Sequence, residues 1–271
     1  MQLHKYATLL LLSINSFTLY SQEKGSKADT VATMKLVWSD EFNYNGLPDA
    51  SKWNYDVGTG DWGWGNNELQ YYTKDSLGNA RVHNGILTIE LKKQTIGDKK
   101  YSSARLVSKG KGDWIYGRID VRAKLPKGLG TWPAIWMLGS QTPLKWPDDG
   151  EIDIMEHVGY NPGVVHATVH TKSFNHIIGN QKTNTISVPD FDSNFHIYSV
   201  IWNRNSVHIL LDHKIYYTFK NNRTGKAAWP FDEPMHLLLN VAFGGNWGGK
   251  EGIDELALPA LMEIDYVRVY Q

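Results

Sequence analysis

Arg118-Ile-Asp-Val-Arg-Ala-Lys-Leu125 alternates polar and apolar side chains without a break. Successive side chains of an extended strand point to opposite faces of a sheet, so this alternation predicts a strand with one buried face and one solvated face. A helix would need a period near 3.6 residues, and no long segment of the sequence has that period. The stretch therefore favours a fold built from strands.

Similar short runs recur from Leu36 onward, separated by turn residues at 110–113, 126–130 and 244–249. The predicted strands are 85–92, 118–125, 132–138, 151–157, 164–171, 196–203, 207–211, 215–219, 236–243 and 262–270. Many short strands with little helix predict an all-β fold, a sandwich or jelly roll of two antiparallel sheets. Because folds of this class commonly form one unit at this length, we expect residues 36–271 to be a single domain.

The composition excludes several classes of protein. Lys plus Arg and Asp plus Glu number 28 each, so the chain lacks the basic surplus expected of a nucleic-acid binder. There is no Cys, hence no disulfide framework and no thiolate zinc site. Trp and Tyr are abundant, at 11 and 14, which fits either core packing or a platform for flat apolar ligand faces.

The first 21 residues resemble a secretory signal peptide, because a basic residue precedes an apolar run that is followed by small residues. That run is too short for a membrane span. A buried N-terminal helix is the alternative. Residues 22–35 are polar and predict a flexible leader. The expected location is therefore outside the cytoplasm, either extracellular or periplasmic.

The second informative stretch is residues 148–157, DDGEIDIMEH, which holds five acids without an intervening Lys or Arg. Glu151 and Asp153 share one face of a strand, whereas Glu156 is five residues from Glu151 and would face the other side. One extra residue at 154–155, a β-bulge, would return Glu156 to the face of Glu151. We therefore predict a bulge there, with all three acids on one surface.

The spacing of these acids predicts a chemistry. With the bulge, Glu151 and Glu156 are four strand steps apart, about 13 Å between Cα atoms at ~3.3 Å per step. If each side chain leans inward by about 4 Å, the carboxyl groups come to about 5 Å, close to the 5–5.5 Å of retaining glycosidases and below the 6.5–9.5 Å of inverting ones. Crowding also separates carboxyl pKa values, so that one group is charged while another keeps its proton. A calcium site and a solvated acidic face are the alternatives.

Glu151-Ile-Asp-Ile-Met-Glu156 resembles the active-site strand of family 16 glycoside hydrolases, in the bulged form of the laminarinase-like branch. The resemblance extends over 36–271. It implies a concanavalin-like jelly roll with an open concave substrate cleft. It also implies that Glu151 is the nucleophile, Glu156 the general acid and base, and Asp153 the helper between them.

Other segments resemble the same branch and imply substrate contacts. In Gly130-Thr-Trp-Pro-Ala-Ile-Trp136, the even spacing of Trp132 and Trp136 puts both on one strand face, where they would stack on sugars or else fill the core. In the loop 62–70, Asn66 would bind sugar hydroxyls, although a plain Gly-rich turn would look similar.

Four further positions are implied in the same way. Arg105 would border the cleft, although Ser-Ser-Ala-Arg departs from the usual Ser-Gly-Arg. His170 would lie beside the catalytic acids, with Ala167 in place of a more usual Gly. Asn246 and Trp247, in Gly244-Gly-Asn-Trp247, would lie at the cleft edge.

No cofactor is expected for catalysis, but the resemblance implies one structural calcium ion on the convex side. Glu41, the backbone carbonyl of Gly85, and Asp265 match its ligand positions. A hard cation between the first and last strands would tie both chain ends together. The alternative is three unrelated polar positions at strand edges.

The sequence thus predicts a secreted, retaining endo-β-1,3-glucanase that acts on β-glucan polysaccharide as a monomer, with no nucleic-acid partner and no membrane span. A preference for mixed-linkage β-1,3-1,4-glucan is the first alternative, and a galactan is a weaker one. A carbohydrate-binding jelly roll without chemistry is the alternative from another class. Such a module has no need for Glu151 and Glu156 together.

Overall fold

The computed structural model describes residues 34–271. The predicted signal peptide, and all but the last two residues of the predicted leader, lie outside the described residues. Over residues 34–271 the strands are β1 (Leu36–Asp40), β2 (Asn54–Tyr55), β3 (Gln70–Tyr72), β4 (Ala80–His83), β5 (Ile86–Ile96), β6 (Lys99–Ser103), β7 (Arg105–Val107), β8 (Asp113–Trp114), β9 (Gly117–Lys124), β10 (Thr131–Gly139), β11 (Glu151–His157), β12 (Val164–His170), β13 (Lys182–Ser187), β14 (His196–Trp202), β15 (Ser206–Leu211), β16 (Lys214–Lys220), β17 (Met235–Phe243) and β18 (Ala260–Tyr270).

Helix is confined, within the described part of the chain, to 3-10 turns at His176–Ile178 and Glu255–Ala257 and an irregular helical turn at Gly63–Asn67. None of these is long or apolar enough to span a bilayer.

The strands form two sheets that pack face to face as a jelly roll. One sheet has the order β16-β15-β14-β9-β18-β5-β6-β3, with β1 added beside β18 and β4 beside β5. The other has the order β13-β12-β11-β10-β17-β7-β2, with β8 beside β17. Pairing is antiparallel as predicted, except that β3 and β6 run parallel. The second sheet carries the cleft described below.

The alternation in β9 has the predicted consequence. Ile119, Val121 and Ala123 are fully buried between the sheets, and Arg122 lies on the outer face. Ile152 and Ile154 of β11 are buried from the opposite sheet in the same core cluster. Burial of this apolar surface is the main force that holds the two sheets together.

Each of the ten predicted strands is present, with ends that differ by a few residues. The strands that the sequence did not predict are β1–β4, β6–β8 and β13. Most are short, and β13 (Lys-Thr-Asn-Thr-Ile-Ser) is almost wholly exposed at a sheet edge. Their extended conformation comes from pairing with a neighbouring strand, which no local pattern records.

The hairpin between β15 and β16 is a two-residue turn at Asp212 and His213. Both residues have positive φ, 46° and 67°. This is the geometry that favours Gly, so His213 accepts a conformational cost there.

Candidate active site

The acidic strand β11 contains the predicted bulge. Against β12, Asp153 pairs with Thr168 and Glu156 with His166, so three steps along β11 match two along β12. Against β10, Glu151 pairs with Leu138 and Glu156 with Ala134, which sets the two glutamates four residues apart on the neighbouring strand. The bulge turns both residues 154 and 155 into the core and brings Glu156 back to the face of Glu151.

The bulged strand lies in a cleft of about 700 Å³ on the outer face of its sheet. Seven of the residues predicted from the sequence line it, namely Asn66, Arg105, Trp132, Trp136, Glu151, Asp153 and Glu156. These seven side chains come from β7, β10, β11 and the loop before β3. Strands therefore fix the acids, and a loop completes one wall.

Glu151 lies in a set of close polar contacts. The indole N–H of Trp146 donates to Glu151 Oε2 at 2.7 Å. Nε2 of His170 lies 3.7 Å from Glu151 Oε1 and 3.4 Å from Asp153 Oδ2. Burial, followed by the adjacent Glu151 charge and a hydrogen bond to Glu151, holds the pKa of Asp153 well above its usual range. Glu151, Asp153 and His170 thus form one cluster of electrostatically interacting groups.

Glu156 is half-buried at the other end of the bulge. Burial raises its pKa well above the usual value, and the charges of Asp153 and Glu151 add to the rise. The indole N–H of Trp132 donates to Glu156 Oε1 at 3.0 Å and acts in the opposite direction. The site thus holds an acid that keeps its proton, on the same face as a second carboxylate. This is the arrangement that acid-assisted cleavage of a glycosidic bond requires.

Arg105 organises the aromatic floor. Its guanidinium carbon lies 4.6 Å from the ring centroid of Trp64 and 4.6 Å from that of Trp136. Nε of Arg105 lies 3.0 Å from Asp56 Oδ2. A planar cation stacks on aromatic faces in this way, so Arg105 fixes both rings as well as bordering the cleft.

A hydrogen-bonded chain beneath the floor holds Trp136. Its indole N–H donates to Asn240 Oδ1 at 2.7 Å, and Nδ2 of Asn240 donates to the Tyr72 hydroxyl at 3.0 Å. That hydroxyl donates to Glu68 Oε2 at 3.2 Å, and Gln70 donates to the same oxygen at 2.6 Å. Buried networks that are satisfied in this way rigidify their surroundings.

Three predicted residues are not among those that line the cleft. His170 is buried beside Glu151 and Asp153. Trp247 packs edge-on against Trp132, with ring centroids 5.3 Å apart. Asn246 is exposed, and its Oδ1 accepts a hydrogen bond at 2.8 Å from Asn67, so that its side chain joins two loops; its predicted contact with substrate stays a prediction.

Sequence reasoning missed several residues of the cleft. Trp146 and His176 line it near Glu151, and Trp62 lies on its rim with 85% of its surface exposed. Trp62 belongs to the loop 62–70, in which the sequence predicted a substrate contact only for Asn66. The abundance of Trp was the only signal for Trp146, and there was none for His176, because both residues lie in loops and no sequence period places loop side chains.

The predicted calcium ligands meet a local obstacle. Glu41, Gly85 and Asp265 are on or beside neighbouring strands, with Gly85 at φ 80° in a turn. The Glu41 carboxylate, however, accepts two hydrogen bonds from Arg268 at 2.9 and 2.8 Å, and Asp265 Oδ2 lies 2.6 Å from Arg122. Calcium needs several free anionic or carbonyl oxygens. An arginine pairs with each carboxylate, so a calcium ion at this site would have to displace Arg268 from Glu41 and Arg122 from Asp265.

Comparison with known proteins places this arrangement among related folds. The sequence matches the family model of glycosyl hydrolases family 16 over residues 67–268. A β-glucanase of Rhodothermus marinus is 51% identical over 253 residues, covering 90% of this chain and 88% of that protein. The X-ray structure of the Rhodothermus marinus laminarinase superimposes with a TM-score of 0.85 at 52% identity, covering 88% of this chain and 97% of that one. A non-specific endo-β-1,3(4)-glucanase superimposes with a TM-score of 0.84 at 48% identity, covering 89% and 92% of the two chains.

Proposed function

The chain belongs to glycosyl hydrolases family 16 and is a glycoside hydrolase; on that premise, we propose that it is a retaining endo-β-1,3-glucanase. The relatives named above are a β-glucanase and a laminarinase, which supports β-1,3-glucan as the substrate class. The observation that carries the mechanism is the bulge, which sets Glu151 and Glu156 on one face of β11.

In the first step, a Glu151 oxygen attacks the anomeric carbon while the bond from that carbon to the leaving sugar oxygen breaks. Glu156 gives its proton to the leaving oxygen, which its raised pKa allows. The product of this step is a glycosyl ester of Glu151 and a shorter glucan chain. Asp153 and the Trp146 N–H hold the Glu151 carboxylate in position.

In the second step, Glu156 is an anion and takes a proton from water, whose oxygen attacks the same anomeric carbon. The ester bond to Glu151 breaks and the carboxylate is restored. Two inversions leave the anomeric configuration unchanged. The four-residue offset between the glutamates along β10 supports the short carboxyl separation that this double displacement requires.

The cleft walls suit a polysaccharide chain. Trp132 and Trp136 are both half-buried on the cleft side of β10, four residues apart along the strand. Their faces can lie against the apolar faces of neighbouring sugar rings, while Asn66 and Arg105 offer hydrogen-bond donors to hydroxyls. An open cleft lined in this way supports attack within a chain.

Substitution of the two glutamates tests this proposal. Glu151→Ala should abolish release of reducing sugar from laminarin, and normal turnover by this variant would refute the nucleophile. Glu156→Ala should lose about 10²–10⁴-fold on laminarin but much less on an aryl glycoside, whose leaving group needs no acid. Equal losses on both substrates would reject Glu156 as the acid. NMR of the first product should detect the β-anomer, and an α-anomer would exclude retention.

Mixed-linkage β-1,3-1,4-glucan is the second candidate substrate. It is favoured by the close structural match to an enzyme described as a non-specific endo-β-1,3(4)-glucanase. Parallel assays on laminarin and mixed-linkage glucan, with product sizes, rank the two. A higher kcat/KM on mixed-linkage glucan would make that polymer the preferred substrate.

Secretion and calcium binding stay predictions. The N-terminal sequence supports export. Sequencing the N-terminus of protein recovered from the culture medium tests this, because export should remove about the first 21 residues. A calcium ion would have to free Asp265 from Arg122, so Arg122→Ala should tighten calcium binding. Calcium should raise the Tm of metal-free protein, and an unchanged Tm would reject the calcium site.

A further inference from the structure

Two loops meet at the Glu151 end of the cleft. The β10–β11 loop (residues 140–150) carries Trp146, and the β12–β13 loop (residues 171–181) carries His176. Lys172 of the second loop forms an ion pair at 2.8 Å with Asp148 of the first. Both loops therefore present a ring to the same region of the cleft, next to the proposed nucleophile.

The rings form a continuous contact to Glu151. His176 lies against Trp146, with ring centroids 5.0 Å apart and planes inclined by 37°. His176 also meets His170 edge-on at 5.3 Å. Trp146 in turn donates its N–H to Glu151 Oε2 at 2.7 Å. The tilt of the indole fixes the direction of that N–H, so whatever holds the indole also orients the carboxylate.

His176 is itself held by its loop. It begins a 3-10 turn that Asn175 caps, with Asn175 Oδ1 accepting from the N–H of Ile178 at 3.3 Å. Nδ2 of the buried Asn175 donates to the carbonyl of Thr171 at 3.0 Å. The backbone N–H of Asn180 donates to the carbonyl of Asn175 at 3.2 Å. This bracing gives the imidazole a fixed position relative to the end of β12, where His170 lies.

We propose that His176 is a positioning residue for Glu151 that acts through Trp146. This inference rests on the proposed function of Glu151 as nucleophile. His176 does not touch Glu151, and its role is to restrict the indole that does. The nucleophile must hold a near-attack geometry, and small errors in that geometry cost rate and not affinity.

The test compares three variants in the full-length protein with an aryl glycoside of laminaribiose. His176→Ala removes the ring, His176→Phe keeps a flat ring, and Ile178→Ala is the matched control. Ile178 lies in the same 3-10 turn with 58% of its surface exposed and is outside the cleft lining. Rapid-mixing measurement of the first aryl release reports the step in which Glu151 attacks, and thermal unfolding verifies that each variant is folded.

We expect His176→Ala to slow the first aryl release by roughly threefold to tenfold, the effect of one lost aromatic contact, with KM changed less than about twofold. His176→Phe should restore most of the rate, and Ile178→Ala should match the parent. Two results would overturn the proposal: an unchanged rate in His176→Ala, with or without a raised KM, or a His176→Phe variant as slow as His176→Ala.

A double-mutant cycle keeps the proposal testable if one variant is unstable. Trp146→Phe lacks the N–H donor to Glu151, so adding His176→Ala to it should cost little further rate. Additive losses in the cycle would contradict action through Trp146. Failure of the proposed function would give a different result. Either the Glu151→Ala variant would still hydrolyse laminarin, or the parent protein would not hydrolyse it.

Discussion

The indole N–H of Trp132 lowers the pKa of Glu156, and the substitution Trp132→Phe tests this effect. The substitution removes the N–H that donates at 3.0 Å to Glu156 Oε1 and leaves an aromatic ring to meet Trp247 and the substrate. In the parent, this hydrogen bond favours the ionised carboxylate. Its removal therefore raises the pKa of Glu156 further.

The magnitude follows from the energy of this bond in the two protonation states. A hydrogen bond to a charged group contributes about 1.5–3 kcal/mol, and one to a neutral group about 0.5–1.5 kcal/mol. The midpoints of these two ranges differ by about 1.3 kcal/mol, which corresponds to about one pH unit. Because Glu156 must be protonated to act as the acid, activity falls as pH rises through its pKa. Trp132→Phe should therefore move the alkaline limb of kcat/KM upward by about one pH unit.

The assay is the pH profile of kcat/KM on laminarin for the parent, Trp132→Phe and Trp247→Phe. Trp247 meets the Trp132 ring at 5.3 Å but is not among the residues that line the cleft, so its replacement should leave the alkaline limb at the same pH even if KM rises. If the alkaline limb of folded Trp132→Phe lies at the same pH as in the parent, or at a lower pH, the assignment of Glu156 as the acid is refuted.

Three further outcomes are expected. Asp153→Asn removes one cause of the raised pKa of Glu156, so the alkaline limb of kcat/KM should move to lower pH; an upward movement would contradict the coupling. Arg105→Lys keeps the charge but loses stacking on Trp64 and Trp136, and should lower kcat/KM about tenfold, mainly through KM. Burial lowers the pKa of His157 from 6.5 to about 4. Between these two pH values the unfolded chain binds a proton at His157 and the folded chain does not. The free energy of unfolding should therefore fall by up to about 3 kcal/mol as the pH drops from about 6.5 to about 4. His157→Gln should flatten that fall in denaturant titrations at several pH values, and an equally steep fall would reject the assignment.

The sequence by itself determined the central strands and the composition of the acidic strand. Residues 118–125 alternate because one face of β9 is buried, and that period is written in the side chains themselves. The bulge could be predicted as well, because Glu151 and Glu156 share a face only if one residue between them is absorbed. Both inferences need only the two-residue geometry of an extended chain.

Tertiary structure decided which loop residues surround the acids. Trp146 and His176 come from separate loops, and only the packing of β10–β12 brings their rings beside Glu151. Asn246 joins loops for the same reason, since its partner Asn67 is far away in sequence. Local periodicity reports which face of a strand is buried, but it holds no information on which loops meet. Contacts between residues distant in the chain are fixed when the two sheets pack, and those contacts orient the carboxylates and shift their pKa values.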